Sequence, residues 1–410
     1  MTDPWQNLIG RIHAAPQRVV IVVTGGGASA ISKLLSVPGG SRTLLEAVVP
    51  YSETALTDWL GKAPEHFCVE ETALAMAAVA FERAAVLGQP GGACDSLMGI
   101  ACTASLVSDR PKRGDHRCHV ATQSGSETRA WTLVLAKGAR NRMDEEHVVG
   151  QVILYALARA AGLEDLPALD LLPGEAIVEH HAAAHALLIE LLAGQRGVVW
   201  SLPSGVIRTP QEIRGLTPPA RLDRSESASI PGLSADLASF APPAGLLCGS
   251  FHPLHFGHEQ LRAAAERQLG GPVYYEMSIR NVDKPPLDLL SIDRRRAQFT
   301  SLPLALTAAP TFAEKAAALP GTVFVMGVDT AERIVEPRYY QGSEAAMCEA
   351  LLQVRKASCR FLVAGRKVDA RFETLADMVV PAEFADLFAP ISPDDFRADV
   401  SSTELRRAEL

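Results

Sequence analysis

Two series of short β-branched runs alternating with Ala- and Leu-rich helical stretches make up most of this chain. Between them, 41 residues (203–243) hold seven of its 27 prolines. Proline fixes φ and removes a backbone donor, so that density sustains no regular element and separates two folding units. In the first series, runs at Val19–Val23, Thr43–Val49, Leu97–Cys102, His116–Thr122 and Trp131–Leu135 alternate with helical patterns at Ala28–Leu35, Glu70–Leu87 and Glu145–Ala161. The second has expected strands at Gly245–Cys248, Val273–Ile279, Thr322–Met326 and Arg360–Ala364, and expected helices at His258–Gln268, Leu290–Phe299 and Glu344–Lys356. Alternation of this kind predicts an α/β fold in both halves, the second as a doubly wound parallel sheet. The expected division is an α/β domain over 1–165, a helix and Pro-rich linker over 166–243 that includes a short strand at Gly197–Ser201, and a second α/β domain over 244–410.

In the middle segment His180, His181 and His185 fall on a helical pattern. His181 and His185 have the spacing of a metal pair, but no H-E-x-x-H carboxylate accompanies them, so an ordinary, partly exposed helix is expected. His116 and His119 flank Cys118 on an alternating strand, where residues three apart face opposite sides and cannot share a metal. The seven cysteines are scattered without a C-x-x-C, which fits reduced thiols in a cytoplasm and no zinc site.

Charge and hydrophobicity exclude other classes. Lys and Arg number 39 against 47 Asp and Glu, a formal charge of −8 without a basic block, so counterion release offers nucleic acid no hold. With 48% apolar and 21% charged residues the chain can bury a large core. Its apolar runs fall far short of the ~20 residues of a membrane helix, and neither a signal peptide nor a membrane partner is expected. An assembly of identical chains stays open.

The most specific motif runs from Gly249 through Ser250, Phe251, His252, Pro253, Leu254, His255, Phe256 and Gly257 to His258. It follows the first strand of the second series and opens its first helix. Ligands of such sheets bind at carboxyl strand ends, where a helix amino terminus offers free N–H groups to phosphate. His255 and His258, three apart at that terminus, can face one phosphate, and Gly257 between them lets backbone come close. No nucleophile with a paired base and no P-loop is present, so phosphoryl chemistry would proceed by positioning and charge stabilisation. A second element, Val400 to Arg406, joins Ser401, Ser402 and Thr403 to Arg406. Alone it reads as a helix cap; beside the histidine loop it reads as a holder of the outer phosphates.

The H-x-G-H loop and the S-S-T-x-x-R element resemble those of the nucleotidyltransferase superfamily, and specifically nicotinamide or nicotinate mononucleotide adenylyltransferases, over about Ala244 to Arg407. The resemblance implies a Rossmann-like domain in which the phosphate of a phosphorylated small-molecule acceptor attacks the α-phosphorus of ATP, with Mg²⁺ carried by the nucleotide and pyrophosphate released. It makes His255, His258 and Arg406 catalytic, and gives nucleotide contacts to Gly249, Ser250, Phe251, Gly257, Ser401, Ser402 and Thr403. Asp329, in a G-x-D segment, joins them near the ribose or substrate. Lys284 is the candidate for the acceptor side, where the surrounding residues depart from the family pattern. A cytidylyltransferase and a catalytically inactive nucleotide sensor remain alternatives.

In the first half, Thr24, Gly25, Gly26 and Gly27 form a glycine-rich turn between strand and helix that is able to cradle an anion. With the V-P-G segment ending at Gly39, and with Tyr51 and Ser52, this turn resembles the C-terminal domain family of competence-damage proteins (CinA), whose members include nicotinamide mononucleotide deamidases, over about Arg18 to Leu163. Thr24 stands where that family carries its serine nucleophile, and Leu56 where it carries a lysine. A pocket walled by Thr24, Gly25, Gly26, Tyr51 and Ser52 is therefore expected to bind a phosphorylated nucleotide with little or no deamidation, because nothing at those positions activates the hydroxyl.

Overall fold

The computed structural model describes residues 3–88, 96–110, 112–215, 241–282, 285–368 and 371–397. The chain is mixed α/β with two large sheets and divides into two units. The first runs to His185 and also takes residues 285–292; the second holds the rest.

The first unit contains β1 (Arg18–Thr24), β2 (Leu44–Val48), β3 (Leu97–Ser105), β4 (His116–Ser124), β5 (Glu127–Leu135) and β6 (Ile177–Ala183), ordered β2-β1-β3-β4-β5-β6. Strands β2, β1 and β3 are parallel and the remainder antiparallel. Its helices are α1 (Pro4–Ala14), α2 (Ala28–Ser36), α3 (Gly40–Thr43), α4 (Glu53–Leu60), α5 (Glu70–Leu87) and α6 (Arg142–Ala160). Six of the seven β1 residues are buried because helices cover both faces of the sheet. On one face Val19, Ile21, Val23, Ile100, Val120 and Trp131 pack against Leu8 and Ile12 of α1 and Val149 and Ile153 of α6. Each such large side chain contributes about 1.5–3 kcal/mol.

The other face is lined with small residues, which explains the Ala-rich composition of α5. A Cβ on Gly99 would lie 2.2 Å from the Ala77 carbonyl oxygen, so helix backbone rests directly on the strand. The strap at 285–292 joins this unit through the Leu289 N–H, which donates to Thr128 Oγ1 (3.0 Å).

The middle segment departs from the expected helix and linker. Residues 177–183 form strand β6, and only α7 (Ala186–Leu192) is helical. Antiparallel pairing with β5 overrides the helix propensity of the Ala-rich stretch. His180 Nδ1 meets Glu70 (2.8 Å) and His181 Nε2 meets Glu127 (3.0 Å), and His181, on a strand, does not share a helix face with His185. Next, β7 (Val198–Ser201), β8 (Ile207–Arg208) and α8 (Pro210–Gly215) belong to the second unit, so residues 166–215 contribute elements to both units. The rest of the Pro-rich stretch, 216–240, lies outside the described residues.

The second unit continues with β9 (Gly245–Cys248), α9 (Phe256–Leu269), β10 (Val273–Ser278), α10 (Leu289–Arg296), whose first turn belongs to the strap, and β11 (Leu304–Thr307). It then runs through α11 (Phe312–Ala318), β12 (Val323–Gly327), α12 (Val328–Ile334), α13 (Glu344–Lys356), β13 (Arg360–Ala364), the ribbon β14 (Arg366–Val368) with β15 (Arg371–Glu373), and β16 (Phe388–Ile391). The sheet order is β16-β13-β12-β9-β10-β11-β7-β8, parallel from β16 to β11 and closed by antiparallel β7 and β8. From β9 the chain first adds strands on one side, β10 and β11, and then on the other, β12 and β13; the direction of growth reverses at β9. Glu276 on β10 is buried beneath this sheet, paired with Lys315 (2.7 Å) and accepting from Thr307 Oγ1 (2.5 Å). Among the described residues no helix is long and apolar enough to cross a membrane.

Candidate functional site

Where strand order reverses, the loops leaving two neighbouring strands part and open a crevice. Here those loops are the histidine loop after β9 and the Gly327–Asp329 turn after β12. The backbone of the histidine loop is held from outside. Gly249 N–H donates to the Glu276 carbonyl (3.0 Å), and Arg295 Nη1 donates to the Ser250 carbonyl (3.2 Å). Phe251 adopts φ +44°, a left-handed conformation costly for a bulky residue by about 1–3 kcal/mol. Its ring is 1% exposed and packs edge-on against Tyr275, Phe299 and His258, which offsets that cost. A Cβ on Gly249 would approach that ring to 2.8 Å, so the glycine makes room for it. The Phe251 side chain thus anchors the loop in the core, so any contact of this residue with nucleotide falls to its backbone.

His255 is the N-cap of α9, and Gly257 is buried in the first turn. The His255 N–H donates to His258 Nδ1 (3.2 Å) and the two rings stack with centroids 3.8 Å apart. A backbone N–H can only donate, so Nδ1 of His258 carries the lone pair and Nε2 the proton. Burial, with the nearby His255 and Arg366, pushes His258 down to about 3, and burial with Arg366 also lowers His255. Near neutral pH His258 is an uncharged donor at a helix amino terminus, where donors already face any anion.

Arg366, just past β13, reaches Asp329 (Nη1 to Oδ2, 2.6 Å), and its charge is felt by both histidines. A Cβ on Gly327 would sit 2.7 Å from Asp329 Oδ1, so glycine there admits the carboxylate. The structure thus gathers His255, His258 and Asp329, and adds Arg366, which the sequence reading passed over. The only signal for Arg366 was an arginine two residues beyond an expected strand. Ser401, Ser402, Thr403, Arg406 and Lys284 lie outside the described residues.

In the first unit, the glycine-rich turn has the geometry expected of it, with φ +73° at Gly25 and +94° at Gly27. A Cβ on Gly25 would collide with the Ala104 carbonyl at 1.9 Å. The anion, however, comes from the chain itself. The Glu146 carboxylate accepts from the Gly27 N–H with both oxygens (3.0 and 2.9 Å) and from the Ser29 N–H (3.0 Å). Glu146 thus takes up the Gly27 and Ser29 N–H groups at this end of α2. Thr24 is buried and its hydroxyl donates to the Pro50 carbonyl (3.0 Å), while Ser52 caps α4 by accepting from Ala55 N–H (3.1 Å). Tyr51 is 70% exposed.

Among the described residues no three His, Cys, Asp or Glu side chains are placed to hold a metal ion. No protein-family model matches the chain, and no curated protein matches it. Part of the structure is similar to the competence/damage inducible protein CihA from Agrobacterium tumefaciens (18% identity, covering 39% of this chain and 97% of that one, TM-score 0.32). It is similar also to a competence or damage-inducible protein from Enterobacter asburiae (17% identity, 39% and 98% covered, TM-score 0.32) and to competence damage-inducible protein A (ComA) from Klebsiella pneumoniae subsp. pneumoniae MGH 78578 (18%, 39% and 96%, TM-score 0.30).

Proposed function

We propose that the second unit is a Rossmann-like nucleotidyltransferase that moves the adenylyl group of ATP onto the phosphate of a small molecule of the nicotinamide or nicotinate mononucleotide class. The observation that carries this reading is the pair of neutral, stacked imidazoles at the amino end of α9, in the crevice between β9 and β12 and beside the Asp329–Arg366 pair. An acceptor phosphate oxygen attacks the α-phosphorus. A new P–O bond forms, the α–β bridging P–O bond breaks, and pyrophosphate leaves with the electron pair. His258 Nε2–H and the free N–H groups of α9 donate to the α-phosphate oxygens as charge builds on them, a role worth ~10²–10³ in turnover for a single preorganised donor. Arg366, fixed by Asp329, supplies a cation on the opposite wall. Magnesium enters with the nucleotide as part of the substrate, and no step needs a metal held by the protein.

For the first unit we propose a CinA-like domain without nicotinamide mononucleotide deamidase activity. Thr24 spends its hydroxyl proton on Pro50, and the α2 terminus is filled by Glu146. Pyrophosphate release from the full chain, measured with ATP and with CTP against a panel of phosphorylated acceptors, tests the transferase reading. Release with ATP and a pyridine mononucleotide is expected. Release with CTP alone makes the enzyme a cytidylyltransferase, and no release with any pair overturns the assignment. Ammonia release from nicotinamide mononucleotide, expected to be absent, tests the second reading.

A further inference from the structure

We propose that Gln298 is a positioning residue of the nucleotidyl site: its side-chain amide clamps the histidine loop and so fixes which nitrogen of His258 bears the proton. The inference rests on the transferase reading for its consequence in catalysis, but not for its geometry.

Gln298 lies two residues beyond α10, on a different element from the loop it holds. Its Oε1 accepts from the Leu254 N–H (2.7 Å), and its Nε2 donates to the Phe251 carbonyl (3.0 Å). One planar amide therefore bridges both ends of the four-residue segment that delivers the chain to His255. Nε2 also reaches the Arg295 carbonyl (3.2 Å), which tethers the side chain to its own turn. The two functions must come from one group with a donor and an acceptor a fixed distance apart. Glutamate keeps the acceptor but sets an oxygen against the Phe251 carbonyl, and methionine keeps the length with neither function.

The hold on Leu254 propagates along the chain. The peptide between Leu254 and His255 carries the N–H that donates to His258 Nδ1, and that single bond selects the Nε2–H form. The hold on the Phe251 carbonyl acts with the buried ring to keep this residue at φ +44°. Loosening the Leu254 end, next to the peptide that carries the His255 N–H, frees that N–H to turn away, and His258 then samples both tautomers and gains access to water; loosening the Phe251 end alone leaves this hold in place. A misplacement of ~1 Å in a donor of this kind can cost about 10²-fold in rate.

The experiment compares the full chain with Gln298→Met and Gln298→Glu, using nitrogen-15 spectra of the histidine rings, with His258→Ala identifying the signal, beside pyrophosphate-release kinetics and thermal melting. In the wild type His258 is expected as a single Nε2–H tautomer that does not titrate between roughly pH 5 and 8. In Gln298→Met both tautomers appear and titration enters that range. Turnover falls at least about tenfold, while KM for ATP moves far less, since the nucleotide's other contacts remain. Gln298→Glu, which keeps the Leu254 acceptor, is expected to retain the wild-type tautomer and to lose less turnover.

A Gln298→Met protein that melts lower yet keeps the His258 tautomer and turnover overturns the proposal, because its role is then structural alone. So does a wild-type His258 that already populates both tautomers. If the wild type releases no pyrophosphate with any nucleotide, the transferase reading fails, while the ring spectra of the same proteins still decide the clamp.

Discussion

Replacing Glu146 with alanine should destabilise the first unit by about 2–3 kcal/mol, and the figure can be built from the contacts at the start of α2. The carboxylate accepts from two backbone N–H groups, that of Gly27 shared between both oxygens and that of Ser29, and its side chain is 22% exposed. Gly27 is buried, so its N–H is left without a partner at a cost of about 1–3 kcal/mol; that of Ser29, half-buried, recovers part of its bonding from water. Loss of a negative charge at a helix amino terminus adds about 0.3–1 kcal/mol, and partial exposure keeps the total below the plain sum. Glu146→Gln keeps an oxygen acceptor and should cost about 1 kcal/mol. Urea unfolding followed through the buried Trp131 reads the global change, and amide exchange at Gly27 and Ser29 reads the local one, with an acceleration of about 30–150-fold at Gly27. If Glu146→Ala unfolds within half a kcal/mol of wild type, on the order of experimental error, and exchange at Gly27 does not change, the carboxylate does not close this terminus.

Three further outcomes follow from the second unit. His258 is held down to about 3 in the folded state by burial and neighbouring cations, so the unfolded state binds the extra proton first. Its contribution to stability is present above the unfolded value of ~6.5 and is lost as pH falls towards 3; His258→Asn should flatten that dependence by up to about 1.4 kcal/mol per pH unit in chemical unfolding. Arg366→Gln removes a positive charge that lowers both histidines, so His255 and His258 should titrate higher by NMR and nucleotide affinity should drop; unmoved titrations would contradict the proximity. Lys315→Met strands the fully buried Glu276 carboxylate and should cost about 3–5 kcal/mol, much of it recovered in the double variant Lys315→Met/Glu276→Gln; a double variant as unstable as the single one would count against the pair.

What sequence could reveal here depended on how local the determining interactions are. The α/β alternation and the histidine loop were legible because a strand, a glycine turn and a helix start lie within about twenty consecutive residues and obey periodicity and capping rules. The stretch around His180 and His181 misled because the Ala and Leu residues that follow favour helix locally, whereas pairing to β5 is set by a strand about fifty residues away. Glu146 is 119 residues from Gly27, and Arg366 is 37 from Asp329; no spacing rule links them, so the closed terminus and the second cation emerge only from the fold. The anchoring of Phe251 was not legible because its neighbours in sequence are Ser250 and His252, while its neighbours in space are Tyr275 and Phe299.

Adenylyl transfer is distinguished from every other phosphoryl reaction of ATP by the fate of the α-phosphate. With ATP labelled at the α-phosphorus and nicotinamide or nicotinate mononucleotide as acceptor, the label is expected to move into a dinucleotide, γ-label to appear only in pyrophosphate, and His258→Ala to slow both by about 10²–10³-fold. Transfer of the γ-label to the acceptor, or product formation undiminished in His258→Ala, would contradict adenylyl transfer at this site.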